Sequence, residues 1–315
     1  MAYPIEKKLV VAVASSALFD LTDSHAVFEQ QGPSAYKKFQ EQHIDSILKP
    51  GVAFPFVKRF LSINKKFPEL LPVEVVLLSR NSAVTGRRVF RSIEHHELAI
   101  SRAAFTEGKS PYPYIPAFNA SLFLSSFEDD VRMAVAAGYP GGLVLPGVVV
   151  EDDENELRLA FDYDGVIVDD ESETIYQREH SVEEFQDYET EKSHIPHNPG
   201  LLADFFAKLS LLQKLEDAEL EKDHNYERVI RTAIVTARQA PTNERVVTTL
   251  EDWGVGANEV FFLGGMPKDR ILSVLKPHMF FDDQKAHLAS AGGDIPMVHI
   301  PFGIANVSQK PITKS

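Results

Sequence analysis

Asp162 and Asp164 stand two residues apart at the end of the apolar run Leu157–Phe161, and a second acidic pair, Asp282-Asp283, follows the apolar run 279–281. Between them lie Thr236, after another apolar run, and Lys268, after Gly264-Gly265. Unpaired carboxylates are costly to hold at the end of a buried strand, so a site that uses them is the simplest reason for their presence. Phosphate-ester hydrolysis needs a nucleophile, a proton donor for the leaving alkoxide and cations for the phosphoryl oxygens. Asp162 suits the nucleophile, through an aspartyl-phosphate. Asp164 points the same way after two residues of extended chain, and can protonate the leaving oxygen and then activate water. Thr236 can donate a hydrogen bond to a phosphoryl oxygen, and Lys268 can neutralise phosphate and nucleophile charge. Asp162, Asp164, Asp282 and Asp283 form an all-oxygen set that suits magnesium.

These residues need elements that converge. Strands are predicted near 157–162, 231–236, 259–263, 278–281 and 296–300, with helices at 200–215, 242–253 and 267–275. Short buried strands alternating with helical patterns point to an α/β fold with a parallel sheet. Sites in such sheets lie at the C-terminal strand ends, where Asp162, Thr236 and Asp282 all fall. The acidic run Asp169-Asp170-Glu171 reads as a solvated loop opening a helix at Glu171-Ser172-Glu173. The segment 169–200 is too long for a simple turn and reads as a small cap that excludes water. His194 and His197, near Glu191, could suggest zinc, but histidines beside Pro196 and Pro199 read better as structural.

The chain also resembles itself. At an offset of 157, Val75-Val76-Leu77-Leu78-Ser79 falls on Thr232-Ala233-Ile234-Val235-Thr236, and the register holds from about 75 to 131. Nearer the start the offset is 148, placing Val11-Ala12-Val13 on Leu159-Ala160-Phe161, with the difference absorbed between Asp217 and Tyr226. This predicts two tandem Rossmann-like units, 1–153 and 154–315. The first carries Ala14, Ser16, Ser79, Pro111, Ser125 and Ser126 where the second carries Asp162, Asp164, Thr236, Lys268, Asp282 and Asp283. The first unit is thus expected to serve as scaffold, substrate pocket or regulator. Ser79, Arg80, Asn81 and Lys109, at its strand-to-helix junctions, are candidate substrate-binding residues, joined by Arg238. Arg87, Tyr112, Tyr114 and Phe118 are weaker candidates for a nucleotide pocket.

Composition bounds the rest. The 315 residues, 44% hydrophobic, suffice for a real core. A net charge of −14 argues against a nucleic-acid polymer or anionic membrane as partner, while leaving small anionic substrates open. No cysteine is present, which excludes disulfides, thiol catalysis and Cys-ligated zinc. Lys7-Lys8 before an apolar run, with Ala14-Ser15-Ser16-Ala17 after it, faintly resembles a leader peptide. The run is short and β-branched and continues into Leu18-Phe19, so a buried first strand is the better reading. No apolar run reaches the roughly 18 residues of a membrane span.

D-x-D-G before an apolar run, then a hydroxyl residue, a lysine and D-D after successive strands, resembles the four-part signature of haloacid dehalogenase-like phosphotransferases. From about residue 8 to 303 the chain further resembles the cytosolic 5′-nucleotidase type I family. Four stretches carry this: Ser16-Ala17-Leu18-Phe19-Asp20 with Gln30-Gln31-Gly32; Gly51-Val52-Ala53-Phe54-Pro55-Phe56-Val57-Lys58; Ala160-Phe161-Asp162-Tyr163-Asp164 with Ser172-Glu173; and Pro277-His278-Met279-Phe280-Phe281-Asp282-Asp283-Gln284. The resemblance implies a cytoplasmic, magnesium-dependent enzyme that hydrolyses nucleoside 5′-monophosphates, with Asp162 as nucleophile, Asp164 as acid/base, and Thr236, Lys268 and Asp282 as partners. The first motif reads Phe-Asp-Tyr-Asp-Gly here, where animal members have Phe-Asp-Gly-Asp-Ala. Both carboxylates are kept; base preference and effector control are what the difference touches. A phosphatase for a sugar phosphate or other small ester, and a nucleotide-binding regulatory protein, are the alternatives.

Overall fold

Runs rich in valine, leucine, isoleucine and phenylalanine become β1 (Leu9–Val13), β2 (Val73–Ser79), β3 (Arg102–Phe105), β4 (Ala120–Ser125), β5 (Gly141–Val144), β6 (Leu157–Phe161), β7 (Ile230–Thr236), β8 (Glu259–Phe262), β9 (Met279–Asp282) and β10 (Met297–His299). The structure is a computed structural model that describes residues 3–147, 149, 155–179, 181–290 and 295–306. β1, β2, β6 and β9 are buried at every position, the pattern of strands covered on both faces. They form one sheet in the order β3-β2-β1-β4-β5-β10-β9-β6-β7-β8. Helices such as Phe54–Lys66, Gly86–His95, Ala203–Lys222 and Asn243–Trp253 connect the strands.

Among the ten described strands, every strand pairing is parallel except one. β10 meets β5 antiparallel, with Val298 beside Val144 and His299 beside Leu143. The first five strands therefore run one way and the last five the other. The C-terminal ends of β1, β2 and β4 open on one edge of the sheet, and those of β6, β7 and β9 on the opposite edge.

Strand order 3-2-1-4-5 in the first half recurs as 8-7-6-9-10 in the second. Adding 157 to the bounds of β2 and β3 gives 230–236 and 259–262, the bounds of β7 and β8, and adding 148 to β1 gives 157–161, the bounds of β6. The helix Ala203–Lys222 has 20 residues against 13 in Phe54–Lys66, so most of the difference between the offsets lies at its end. The expected boundary at 153/154 lies outside the described residues. The apolar core does not divide there. One continuous cluster joins β1, β2 and β4 to β6, β7 and β9, with helix Phe54–Lys66 packed against β2 and β6, and helix Ala203–Lys222 against β1 and β4.

After the first strand of each half the chain makes a helical excursion. In the first half this is Thr22–Gln42, broken at Gly32 (φ 80°) before Pro33. In the second it is Glu171–Glu179 and Val182–Glu191. One antiparallel bridge closes each base, Phe19 with Pro50 and Val168 with Pro199. Gly200 follows the second bridge, where an added Cβ would lie 2.2 Å from the Val168 carbonyl oxygen and 2.5 Å from its carbon. Both are backbone atoms and cannot swing aside. Gly200→Ala is expected to cost about 1–3 kcal/mol through overpacking and to lower Tm by roughly 2–5 °C. An unchanged melting curve would show that the crossing can widen freely. Among the described residues, no helix is long and apolar enough to cross a membrane.

Candidate active site

Three adjacent strands deliver the chemistry. β6 hands the chain to Asp162, β7 ends on Thr236, and β9 ends on Asp282. Asp162 is fixed by its own amide, which donates to the Phe281 carbonyl at 2.8 Å, and by the Tyr163 N–H, which donates to its Oδ1 at 2.7 Å. Lys268 caps the N-terminus of the helix Asp269–Leu275. Its Nζ reaches Asp162 Oδ2 and Asp282 Oδ2, each at 2.7 Å. Asp282 Oδ1 accepts from the Gln284 N–H at 2.8 Å, and His287 Nδ1 lies 3.2 Å from Asp282 Oδ2. Asp162, Asp282, Asp283, Thr236 and Lys268 are all buried.

Burial and crowding set the electrostatics. Desolvation, with Asp282 and Asp164 nearby, pushes the Asp162 carboxyl up to about 6, against the pull of Lys268. Asp283 rises to about 9, through burial first and then the charges of Asp162 and Asp282. Its Oδ1 is buried with no hydrogen-bond partner among the described residues. Burial works against the charge on Lys268, but Asp162 and Asp282 more than offset it and hold the ammonium. Burial likewise opposes the Asp282 charge, yet Lys268 and His287 keep it below the usual carboxylate range.

The turn out of β6 explains Gly165. That residue has φ 71°, and a Cβ there would meet Asp283 Oδ2 at 2.7 Å, so the position takes glycine on two counts. The turn carries Asp164 toward Arg238, whose Nη2 and Nε donate to its two oxygens at 2.7 and 2.8 Å. Arg238 also pairs with Glu189. Arg245 then joins Glu189 to Glu171, at 3.0 and 2.9 Å. Ser172 and His197 complete the network, the Ser172 hydroxyl donating to Glu189 at 2.9 Å and Tyr163 Oη lying 3.2 Å from His197 Nδ1. Burial opposes the charge on Glu189, but His197 and Arg238 hold its carboxyl well below the usual range.

A cavity of 360 Å³ lies over these groups, lined by Asp162, Asp164, Thr236 and Arg238 from the sheet side and by Phe185 and Gln186 from the helix Val182–Glu191. The sheet edge thus brings together Asp162, Asp164, Thr236, Lys268, Asp282 and Asp283. It does not bring Ser79, Arg80, Asn81 or Lys109. Ser79 ends β2 and the others follow it on the same side, so the antiparallel meeting of β5 and β10 puts all four on the opposite edge of the sheet. Arg238 lines the cavity, but Asp164 and Glu189 occupy its guanidinium. Through Glu189 it ties the end of β7 to the helix Val182–Glu191. The same pairing engages both oxygens of Asp164. His197 is a buried hydrogen-bonding hub between Tyr163, Ser172 and Thr249.

Sequence reasoning missed His287, Phe185, Glu189 and Arg245. His287 offered a signal, since it follows the acidic pair by one helical turn. Nothing distinguishes Glu189 from the four other carboxylates between 183 and 191, because its partners Arg238 and Arg245 are about fifty residues away in sequence.

Comparison with known proteins now bears on the site. The 5′-nucleotidase family model matches residues 1–307. The human protein named cytosolic 5′-nucleotidase 1B is 35% identical over 290 residues, which cover 90% of this chain and 47% of that protein. The chain thus spans about half the length of this relative. No solved structure matches. With its carboxylate-lysine cluster at one sheet edge and a match along nearly its whole length, this chain belongs to the 5′-nucleotidase family.

Proposed function

We propose that the protein hydrolyses nucleoside 5′-monophosphates to nucleoside and phosphate, with magnesium, in the cytoplasm. The observation that carries this is Lys268 bridging Asp162 and Asp282 beneath the cavity, in a chain of the 5′-nucleotidase family. Asp162 attacks phosphorus with one carboxylate oxygen, forming an aspartyl-phosphate as the bond to the nucleoside oxygen breaks. Asp164 gives that oxygen a proton, for which one of its oxygens must leave Arg238. It then takes a proton from the water that hydrolyses the intermediate. Thr236 donates to a phosphoryl oxygen, and Lys268 offsets the charge that gathers there. Phe185, from the helix over the cavity, supplies a face for the base.

Donor atoms of Asp162, Asp282 and His287 lie within 4.8 Å of one another, and Asp283 buries an unpartnered oxygen beside them. Crowded carboxylates with a spare oxygen fit a hard divalent cation. Asp162, Asp282 and Asp283 would hold it, with His287 steadying Asp282, and it would supply positive charge to the phosphoryl group. The mirrored strand order and matching element bounds support a reading of two tandem Rossmann-like units. The second is the haloacid dehalogenase-like core, capped by the excursion at about 169–200. The first is chemically silent.

Phosphate release should be measured from a panel of nucleoside and deoxynucleoside 5′-monophosphates and several sugar phosphates. Turnover confined to nucleotides, and abolished by EDTA and restored by magnesium, is the expected result. Turnover of sugar phosphates alone would keep the catalytic residues and discard the nucleotide. No turnover at all would favour a nucleotide-binding regulator.

A further inference from the structure

At the sheet edge opposite Asp162, a second cavity of 190 Å³ opens beyond β1 and β2. Its floor is made of hydroxyls and an amide. Ser15 Oγ lies 2.8 Å from Ser79 Oγ, and Asn81 Nδ2 donates to them at 3.2 and 3.1 Å. Asn81 Oδ1 in turn accepts from the Tyr36 hydroxyl at 2.7 Å. Ser16 Oγ is buried there with no hydrogen-bond partner among the described residues. The walls are rings. His25 and Phe28 stack with 10° between their planes, Tyr36 meets Phe28 edge-on at 5.8 Å, and Phe127 meets His25 edge-on at 5.8 Å. Phe28 is 46% exposed, a large ring left open beside the cavity.

The charges here cancel. Arg80 donates to both oxygens of Asp130 at 2.6–3.0 Å, and Asp130 is 1% exposed. His25 Nε2 lies 3.3 Å from the Glu29 carboxylate. Ala14 and Ser125 stand where the other edge carries Asp162 and Asp282. A phosphate would therefore meet no uncommitted cation in this lining. A flat, neutral heterocycle would meet rings to stack on and a hydroxyl that lacks a partner. Apolar walls with a few convergent polar groups are the usual make-up of a small-molecule site, and 190 Å³ is below the roughly 300 Å³ of larger ligand pockets, enough for one ring system with its substituent at the mouth.

We infer that this cavity is a second ligand site, which takes a neutral heteroaromatic ligand of the nucleobase or nucleoside class. That the ligand is a nucleoside rests on the proposed reaction, which releases one. The site lies across the sheet from hydrolysis, so product bound here leaves Asp162 accessible.

Equilibrium dialysis of the full chain with labelled adenosine, guanosine, cytidine and uridine, and with AMP, tests this. At least one nucleoside should bind, and Phe28→Ala should weaken it by about tenfold, the loss typical of one base-stacking ring. Ser16→Leu should abolish it by filling the cavity. Neither change should alter kcat for phosphate release. Circular dichroism checks the fold, and if Ser16→Leu misfolds, Phe28→Ala decides alone. Nucleoside binding that neither variant changes, no nucleoside binding at all, or AMP binding tighter than adenosine at the Phe28-dependent site would each overturn the inference. Nucleotide hydrolysis without Phe28-dependent binding removes the site and keeps the reaction. Phe28-dependent binding without hydrolysis keeps the site and removes the reaction.

Discussion

Asp162→Asn is expected to lower kcat for phosphate release by about ten-thousandfold or more, the scale seen when a covalent nucleophile is removed, while the protein stays folded. Asparagine is nearly the same shape. Its carbonyl oxygen can still accept from the Tyr163 N–H, and Lys268 keeps its contact with Asp282 at 2.7 Å. The substitution also removes one charge from a crowded trio, since Asp162 helps to push the Asp283 carboxyl up to about 9. Thermal stability should therefore be equal to that of the wild type or slightly higher. Phosphate release under magnesium and a melting curve on the same preparation make the pair of measurements. Near-normal turnover would remove Asp162 from the nucleophile role.

Arg238→Met should act in the opposite way, on stability first. The Arg238 side chain is almost fully buried between Asp164 and Glu189, and Glu189 is 0% exposed. Removing the arginine leaves Glu189 with Arg245 at 3.0 Å as its remaining guanidinium partner. Breaking a buried pair on one side costs about 3–5 kcal/mol, a fall in Tm of roughly 5–8 °C for a chain of this length. The double variant Arg238→Met/Glu189→Leu should recover part of that loss, because the stranded charge is gone. The pH dependence has a definite sign. Glu189 is held below the usual carboxylate range in the folded protein, so its contribution is present above that range and fades as pH falls toward the folded value. The deficit of the single variant should be widest near neutrality and narrow in acid. A Tm unchanged at pH 7 would mean that water already screens the pair.

Much of this was legible in the sequence because it depends on local pattern. β-branched runs gave the strands, and two constant offsets gave the repeated element bounds. The order of Asp162, Thr236, Lys268 and Asp282 gave one cluster, since strand ends of one parallel sheet lie side by side. What was not legible depends on long-range pairing. Nothing in the segments 141–144 and 297–299 announces that they will meet antiparallel, yet that meeting turns the two halves in opposite directions. Ser79, Arg80, Asn81 and Lys109 look like neighbours of Asp162 until it is known. Charge pairs such as Glu189 with Arg238 are hidden for the same reason. The departures in the first motif become clear only in three dimensions. Tyr163 is buried with its hydroxyl toward His197, and Gly165 yields its side-chain space to Asp283.

The shared core makes each half a structural support of the other. Helix Phe54–Lys66 lies against β6, the strand that leads into Asp162, and belongs to the other half of the chain. Without that helix, β6 would keep Phe205 and Phe206 of helix Ala203–Lys222 against Phe161 but lose the rest of its cover on that face. The first half thereby roofs the strand that leads into Asp162. Its own mouth, across the sheet at Ser15, Ser79 and Asn81, shares no lining residue with the cavity over Asp162, so a change of side chain at one mouth leaves the walls of the other as they are.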